Sequence, residues 1–387
     1  MKKRVVALLM CGVVAASMLA ACGKKEEGTK SNPKSETPKS EAPKSNVKEE
    51  GSKSGAAENA DVSQYDIQVV AKGFQHQYWQ AVKQGADEAA KTLGIKSMNF
   101  VGPDTESNIE QQITQLKTAI SKKPAAVCFA ALSVESAMDA LNEAKSAGIP
   151  VIGFDSGVPG APEGSVFGNA ATDNKAAGAL AAEKMFELIK DKVTDPKEEV
   201  KIQVLSQDAT SESIIGRTSG FLDKMAELIG TDKVSIVGND KFNKKVDGAK
   251  VILNVQVPAT VDDASCVSIA TNALNDAATV AIYASNEMTA KNMVNADAST
   301  NKLGKDVVGV GFDAGEIQLQ AIKDKKLAGS ITQDPVAIGR KAVEMAVKAA
   351  QTKEVQGDVD TGAKWYNAEN MYNDDIKPCL YDIEKVK

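Results

Sequence analysis

The chain has 387 residues, 43% hydrophobic and 25% charged, an ordinary balance for a folded protein with enough material for about two domains. Its 46 Lys and Arg against 52 Asp and Glu leave a formal charge of −6, which argues against nucleic acid as a partner, because phosphate binding needs a basic face. One histidine leaves no second candidate for a His-based triad or a metal cluster, and of five cysteines the three beyond Cys11 and Cys22, namely Cys128, Cys266 and Cys379, are widely spaced and odd in number, which makes neither a disulfide framework nor a zinc site.

Met1-Lys2-Lys3-Arg4 is a basic start, followed by an apolar run from Val5 to Met18 that is too short to span a bilayer comfortably. The run ends in Leu19-Ala20-Ala21-Cys22, which resembles the bacterial lipoprotein signal. That resemblance implies removal of residues 1–21, lipidation of the Cys22 thiol, and a mature protein held on the extracytoplasmic face of the cell membrane through its lipid anchor only. Residues 22–63 then form a tether dominated by Lys, Glu, Ser, Thr and Pro. It carries the repeat Asn32-Pro33-Lys34-Ser35, Thr37-Pro38-Lys39-Ser40, Ala42-Pro43-Lys44-Ser45. Such a segment buries too little apolar surface to offset its ordering entropy, so disorder is expected, with an average span of ~35 Å as a random coil.

From Asp66 the pattern alternates short apolar strands with amphipathic helices. Strand Ile67–Ala71 precedes a helix over Tyr78–Leu93; Ser97–Val101 precedes Ser107–Ser121; Ala126–Ala130 precedes Ser133–Ala147; and Val151–Phe154 closes a first series. The second series runs helix Asn174–Lys190, strand Ile202–Leu205, helix Ser213–Ile229, strands near Val234 and Ile252, and helix Asp262–Asn275. It continues with strand Val280–Tyr283, helix Glu287–Ala296, strand Val307–Gly311, helix Glu316–Lys323, strand Gly329–Thr332 and helix Val336–Ala350. Repeated βαβ units with buried strands predict an α/β protein with parallel sheets, and their number predicts two doubly wound, Rossmann-like lobes. Ligands bind such lobes beyond the C-terminal ends of the strands. Cys128, inside Val127-Cys128-Phe129, reads as a small core residue, while one disulfide between Cys266 and Cys379 stays open.

The chemistry-bearing residues sit at those strand ends. Lys72-Gly73-Phe74-Gln75-His76-Gln77-Tyr78-Trp79 follows the first strand, and Phe154-Asp155-Ser156-Gly157 follows Ile149-Pro150-Val151-Ile152. Ala171-Thr172-Asp173-Asn174 and Ser285-Asn286-Glu287 open helices; Gly311-Phe312-Asp313-Ala314 and Ile331-Thr332-Gln333-Asp334-Pro335 end strands. Carboxylates and amides hydrogen-bond vicinal hydroxyls, and aromatic faces pack on the C–H faces of a sugar ring, so the combination suits a neutral polyol.

In this the chain resembles the type I periplasmic binding proteins, specifically the ribose/galactose-type sugar-binding lipoproteins of ATP-driven (ABC) importers. The marks are Tyr78-Trp79 with Gly85-Ala86, Gly148-Ile149-Pro150-Val151 leading to Asp155, and Thr172-Asp173-Asn174. Further marks are Arg217 before Gly220-Phe221, Val308-Gly309 leading to Gly311-Phe312-Asp313, and Gln333-Asp334-Pro335 leading to Gly339. The resemblance implies two lobes joined by a three-strand hinge, with the ligand in the cleft between them. The N-terminal lobe would comprise 64–172 plus about 334–362, and the C-terminal lobe 173–333 plus about 363–387. It implies ring contacts from Tyr78 and Trp79, hydroxyl contacts from Asp155, Asn286, Asp313 and Gln333, and first-strand polar contacts from Lys72 and His76. It implies a monomer that needs no cofactor and delivers a monosaccharide or similar polyol to permease subunits. The ribose receptors place a sugar-binding Arg six residues before the Phe of the Gly-Phe pair; here that position is Ile215, and Arg217 matches only the more widespread Arg four residues before it. Lys72 and Asp155-Ser156 are also similar to the autoinducer-2 receptors, whose ligand is a small polyol too.

Several of these residues have a structural alternative, His76 among them, since a lone histidine also serves as a surface or internally satisfied residue. Asp155 and Asp313 could cap turns, and Asp173 and Asn174 could cap their helix with Thr172 nearer the ligand. Tyr78 and Trp79 could be core, and Arg217 could tie its lobe together. Paired Asp155 and Asp313 would also suit a glycoside hydrolase, but no Gly-x-Ser-x-Gly, His-Glu-x-x-His or Gly-x-x-x-x-Gly-Lys motif accompanies them. A sugar-responsive transcription factor would carry DNA-binding helices ahead of the lobes, and the leader argues against it.

Overall fold

The computed structural model describes residues 61–74 and 76–386; the Cys22 lipidation site and the tether lie outside the described residues. Chain order begins with β1 (Asp66–Val70), α1 (Gln77–Leu93), β2 (Ser97–Val101), α2 (Ile109–Ser121), β3 (Ala126–Phe129), α3 (Val134–Ser146), β4 (Val151–Phe154) and β5 (Val166–Ala171). These strands form a parallel sheet in the order β5-β4-β3-β1-β2. Helices cover both faces because β1, β3 and β4 are buried along almost their whole length, leaving neither face for water.

The chain then builds a second sheet. Its elements are α4 (Asn174–Val193), β6 (Val200–Leu205), α5 (Glu212–Ile229), β7 (Val234–Val237), β8 (Val251–Gln256), α6 (Asp263–Asn275) and β9 (Thr279–Ala284). They continue with α7 (Glu287–Thr300), β10 (Val308–Phe312), α8 (Glu316–Lys323) and β11 (Gly329–Gln333). Here the order is β11-β10-β9-β6-β8-β7, again parallel. Helix α9 (Pro335–Thr352) returns to pack on α1 and on β3, β4 and β5 of the first sheet. Strand β12 (Val359–Asp360) extends that sheet beside β5, and β13 (Ala363–Tyr366) joins the second as its antiparallel edge. The chain therefore passes between sheets three times, after Ala171, at Gln333-Asp334 and at Thr361-Gly362. The crossings are stitched together: Asp173 N and Gly362 N both donate to Asp360 Oδ1 (3.0 and 2.8 Å), and Thr361 N donates to the Ala171 carbonyl (2.9 Å).

Each sheet has an apolar core on both faces. Ile67, Val69, Cys128 and Phe154 pack beneath α1 and α9, and Ile202, Val204, Phe221 and Tyr283 beneath α4 and α5. Both lobes seat their central helix pair with the same device. A Cβ on Gly85 or Gly339 would lie 1.9 Å from the carbonyl oxygen of Val336 or Val82, and one on Gly178 or Gly220 would lie 2.1 or 2.0 Å from that of Arg217 or Lys175. Only hydrogen fits where these helix backbones touch. Strand β5 and the short β12 and β13 were not expected from the sequence. In β5 the burial pattern is irregular and Gly168 stands at φ 148°, so neither alternation nor a continuous apolar run marks it. Cys128, Cys266 and Cys379 are all buried free thiols, so the pairing left open for Cys266 and Cys379 is absent.

Candidate functional site

The two sheets present their strand C-termini to one cavity, and most of the residues singled out from the sequence line it. Lys72 follows β1, His76, Tyr78 and Trp79 open α1, and Asp155 follows β4. From the second sheet come Arg217 on α5, Asn286 at the N-cap of α7, Asp313 after β10 and Gln333 at the end of β11. All are at most 6% exposed. Thr172 is not among the lining residues. Its hydroxyl donates to the Gly362 carbonyl (3.1 Å), so it ties two crossing segments instead of facing the cavity. Asp173 caps α4 through Ala176 N (2.9 Å), and Asn174 accepts from Arg217 Nε (2.8 Å).

Asp155 and Asp313 reach the cavity from a left-handed backbone, at φ 57° and 70°, which Asp tolerates better than most side-chain-bearing residues. In each case the backbone N–H still bonds the neighbouring strand, Asp155 to Ala170 (3.0 Å) and Asp313 to Ile331 (2.7 Å). The kink turns the carboxylate off the sheet and over its end. Asp155 accepts from Tyr78 Oη (2.6 Å) and pairs with Lys72 Nζ (2.8 Å), which also donates to Ser213 Oγ (2.9 Å). Burial alone would lift the Asp155 pKa, but the Lys72 and Arg217 charges and the hydrogen bonds from Lys72 and Tyr78 hold it below the usual carboxylate range. Asp313 accepts from Gln333 Nε2 (2.7 Å) and from the Glu287 backbone N–H (3.1 Å), with Arg217 3.8 Å away. For Asp313 burial wins and its pKa is raised, despite Arg217 and these hydrogen bonds.

Arg217 ties its lobe together and also lines the cavity. Its guanidinium lies 4.0 Å from the centroid of the Phe312 ring, donates to the Ser285 carbonyl (3.3 Å) and lines the cavity. The aromatic pair is likewise both core and lining: Tyr78 and Trp79 meet edge to face at 5.1 Å, and Trp79 meets Phe154 the same way at 6.3 Å. His76 is buried with Nε2 3.8 Å from Glu106 Oε1 and no hydrogen-bond partner for that nitrogen among the described residues; Gln333 Oε1 is in the same condition.

The sequence reading missed Glu106, Gln207, Ile214 and Glu287, which complete the lining. Glu106, from the loop after β2, accepts from Trp79 Nε1 (2.7 Å) and from Gln207 Nε2 (2.9 Å), and Gln207 in turn accepts from Asn286 Nδ2. This rail crosses from the first lobe to the second. Ser156 to Ser213 (2.8 Å), Gly157 N to Glu212 (3.4 Å) and Thr210 to the Leu132 carbonyl (3.0 Å) cross as well. The free volume in the cavity is about 20 Å³, little more than one water needs. Among the described residues no group of His, Cys, Asp and Glu could hold a metal ion, and no helix is long and apolar enough to cross a membrane.

Two doubly wound sheets, three crossings and a cavity between strand ends define a two-lobe binding protein. Residues 67–354 match the periplasmic binding protein domain family, to which the chain belongs. Among curated relatives, the ribose import binding protein of Bacillus subtilis is 24% identical over 310 residues, covering 80% of this chain and 89% of its own length. The D-allose-binding periplasmic protein of Escherichia coli is 26% identical over 292 residues, covering 74% and 85%. Among solved structures, a Brachyspira murdochii protein described as an ABC transporter, LacI family transcriptional regulator is 37% identical, with a TM-score of 0.68 over 82% of this chain and 99% of its own. An Agrobacterium vitis ABC transporter solute-binding protein with bound D-fucose is 29% identical, with a TM-score of 0.70 over 82% and 100%.

Proposed function

We propose that this chain captures a small neutral sugar, or a polyol of similar size, by hinge closure and delivers it to the permease subunits of an ABC importer without altering it. The observation that carries this reading is the single cavity in which Lys72, Tyr78, Trp79 and Asp155 of one lobe face Arg217, Asn286, Asp313 and Gln333 of the other. Relatives that bind ribose, allose and D-fucose support it. A ligand touching both sets of residues binds the closed form in preference to the open one, and that difference in affinity is what drives closure. A micromolar site needs about −8 kcal/mol, well within the per-atom ceiling for a hexose of about twelve heavy atoms. The basic start, apolar run and Leu19-Ala20-Ala21-Cys22 support anchoring through lipid on Cys22, which would hold a monomeric receptor beside its permease.

Melting-temperature shifts across pentoses, hexoses, polyols and autoinducer-2 test the reading. A ligand at a hundred times its dissociation constant should add ~2.7 kcal/mol to stability. No shift with any of them, or turnover of aryl glycosides abolished by Asp155→Ala, would end it.

A further inference from the structure

Tyr381 lies outside the cavity, on the C-terminal segment that follows β13, yet it touches three of the elements that build the site. Its hydroxyl donates to Glu287 Oε2 (2.8 Å) and accepts from Ala314 N (3.1 Å). Glu287 follows the N-cap Asn286 and lines the cavity itself; Ala314 follows Asp313. One phenol oxygen thus clamps the loop after β9 to the loop after β10. Each loop carries a proposed hydroxyl contact. The Tyr381 ring meets the Tyr78 ring edge to face at 6.3 Å, so the clamp also backs the first aromatic of the other lobe.

The surroundings make the contact specific. Asp313 is held by its own carbonyl, which accepts from Tyr366 Oη (2.7 Å), Gln318 Nε2 (2.9 Å) and Ser330 Oγ (3.0 Å), while its carboxylate accepts from the Glu287 N–H. The Glu287 carboxylate has fewer holds: the Tyr381 hydroxyl donates to it, the Tyr78 backbone N–H is its other hydrogen-bond partner, and Tyr381 is the one side chain hydrogen-bonded to it among the described residues. Burial pushes the Tyr381 phenol well above its ordinary pKa and that of Glu287 up as well, so the phenol keeps the proton it donates. The segment is anchored for this purpose by Leu380 and Ile383 in the second lobe's core and by Thr332 Oγ1 on the Cys379 carbonyl (2.9 Å).

We infer that Tyr381 is a positioning residue for ligand capture, setting Glu287 and the Asn286 and Asp313 loops in register behind the site; the inference rests on the sugar-capture reading for its affinity consequence. Tyr381→Phe removes the hydroxyl and keeps the ring. The variant should lose a few degrees of melting temperature for the buried Ala314 N–H and Glu287 carboxylate left without the hydroxyl, bind the best sugar of the panel 5- to 20-fold more weakly, and lose most of that affinity through faster dissociation. In a Glu287→Gln background the same substitution should cost less than in the parent, because a neutral amide oxygen is the weaker acceptor, although the Ala314 contact is still lost. Tyr381→Leu should weaken binding further by removing the support for Tyr78.

A readout that needs no sugar separates this inference from the reading beneath it. Amide exchange at Ala314 and over Glu287–Thr289 should quicken at least fivefold in sugar-free Tyr381→Phe, with the core of β9 and β10 unchanged. If no sugar or polyol binds the parent protein but exchange quickens as described, the ligand class falls and the positioning role stands. Unchanged exchange, affinity within twofold of the parent, or an equal loss in the Glu287→Gln background would each overturn the inference.

Discussion

Asp155 and Asp313 hold corresponding places in the two lobes, one residue beyond a central parallel strand, both in left-handed backbone and both buried, yet their acidities move in opposite directions. The difference is the cation. Lys72 lies 2.8 Å from Asp155, whereas Arg217 stands 3.8 Å from Asp313 and spends hydrogen bonds on Asn174 and Ser285. One carboxylate is stabilised by its surroundings and the other is held at some cost, a common arrangement where binding, not stability, is the selected property.

The opposite shifts give opposite pH signatures. Asp155 is depressed on folding, so its contribution is present above the unfolded value near 3.9 and is lost as pH falls through its lower folded value. Asp313 is raised, so its ionised form penalises folding above the raised value, and the penalty fades as pH falls toward 3.9. Urea titrations should show the deficit of Asp155→Asn constant from pH 7 to about 4 and shrinking as pH drops below that. Relative to the parent, Asp313→Asn should fare best at neutral pH and worsen on acidification. Both should weaken sugar binding at least tenfold, about 1.4 kcal/mol. Parallel pH profiles for the two variants would contradict this account.

Lys72 has few substitutes as the partner of Asp155. Lys72→Met leaves a carboxylate in a nearly dry site, with Tyr78 and Ser156 as its remaining hydrogen-bond donors. The expected loss is about 3–5 kcal/mol in chemical denaturation. Adding Asp155→Leu to Lys72→Met should recover much of it while leaving sugar affinity abolished. If the double variant is no more stable than the single one, the two charges are not the coupled pair described.

Much of the site was legible because its residues sit at fixed offsets from strands that announce themselves. Val151–Phe154 is apolar throughout, so Asp155 had to fall at a strand end; the same holds for Asp313 after Val308–Phe312 and for Asn286 two residues after β9. Thr172 came instead from the resemblance and from its place at a helix opening; the strand before it, β5, leads into a crossing whose polar groups satisfy one another. Glu106 and Gln207 carried no local signal. Glu106 lies in a polar loop where an acidic residue is unremarkable, and only the fold brings it against Trp79 and the opposite lobe. Tyr381 is further still from any pattern, in a segment of short 3-10 turns.

The glycine contacts offer a test of packing independent of the cleft. Gly339→Ala would drive a methyl into the Val82 carbonyl, and neither helix backbone can yield without moving its sheet contacts. A loss of about 1–3 kcal/mol is expected, from overpacking. Sugar affinity should change less than threefold if α1 keeps its place, since Tyr78 and Trp79, one turn before Val82, are held separately by Asp155 and Glu106. A melting temperature equal to the parent's would mean that α1 and α9 do not approach this closely in solution.

Glu106 provides the sharpest contrast between stability and capture. Glu106→Ala strips the acceptor from the Trp79 indole, at about 1–3 kcal/mol, and leaves Gln207 Nε2 only its longer bond to Asp208 (3.4 Å), while the lobes stay shut. Opening the cleft hydrates both donors, so the sugar-free protein should escape most of that cost by opening. Its melting temperature should fall only a few degrees, while its radius of gyration by small-angle scattering rises. Sugar binding, which requires the closed form, should weaken more than tenfold. Glu106→Gln keeps one acceptor and should fall between the two. Affinity unchanged in Glu106→Ala would remove the Trp79–Glu106–Gln207–Asn286 rail from the mechanism of closure.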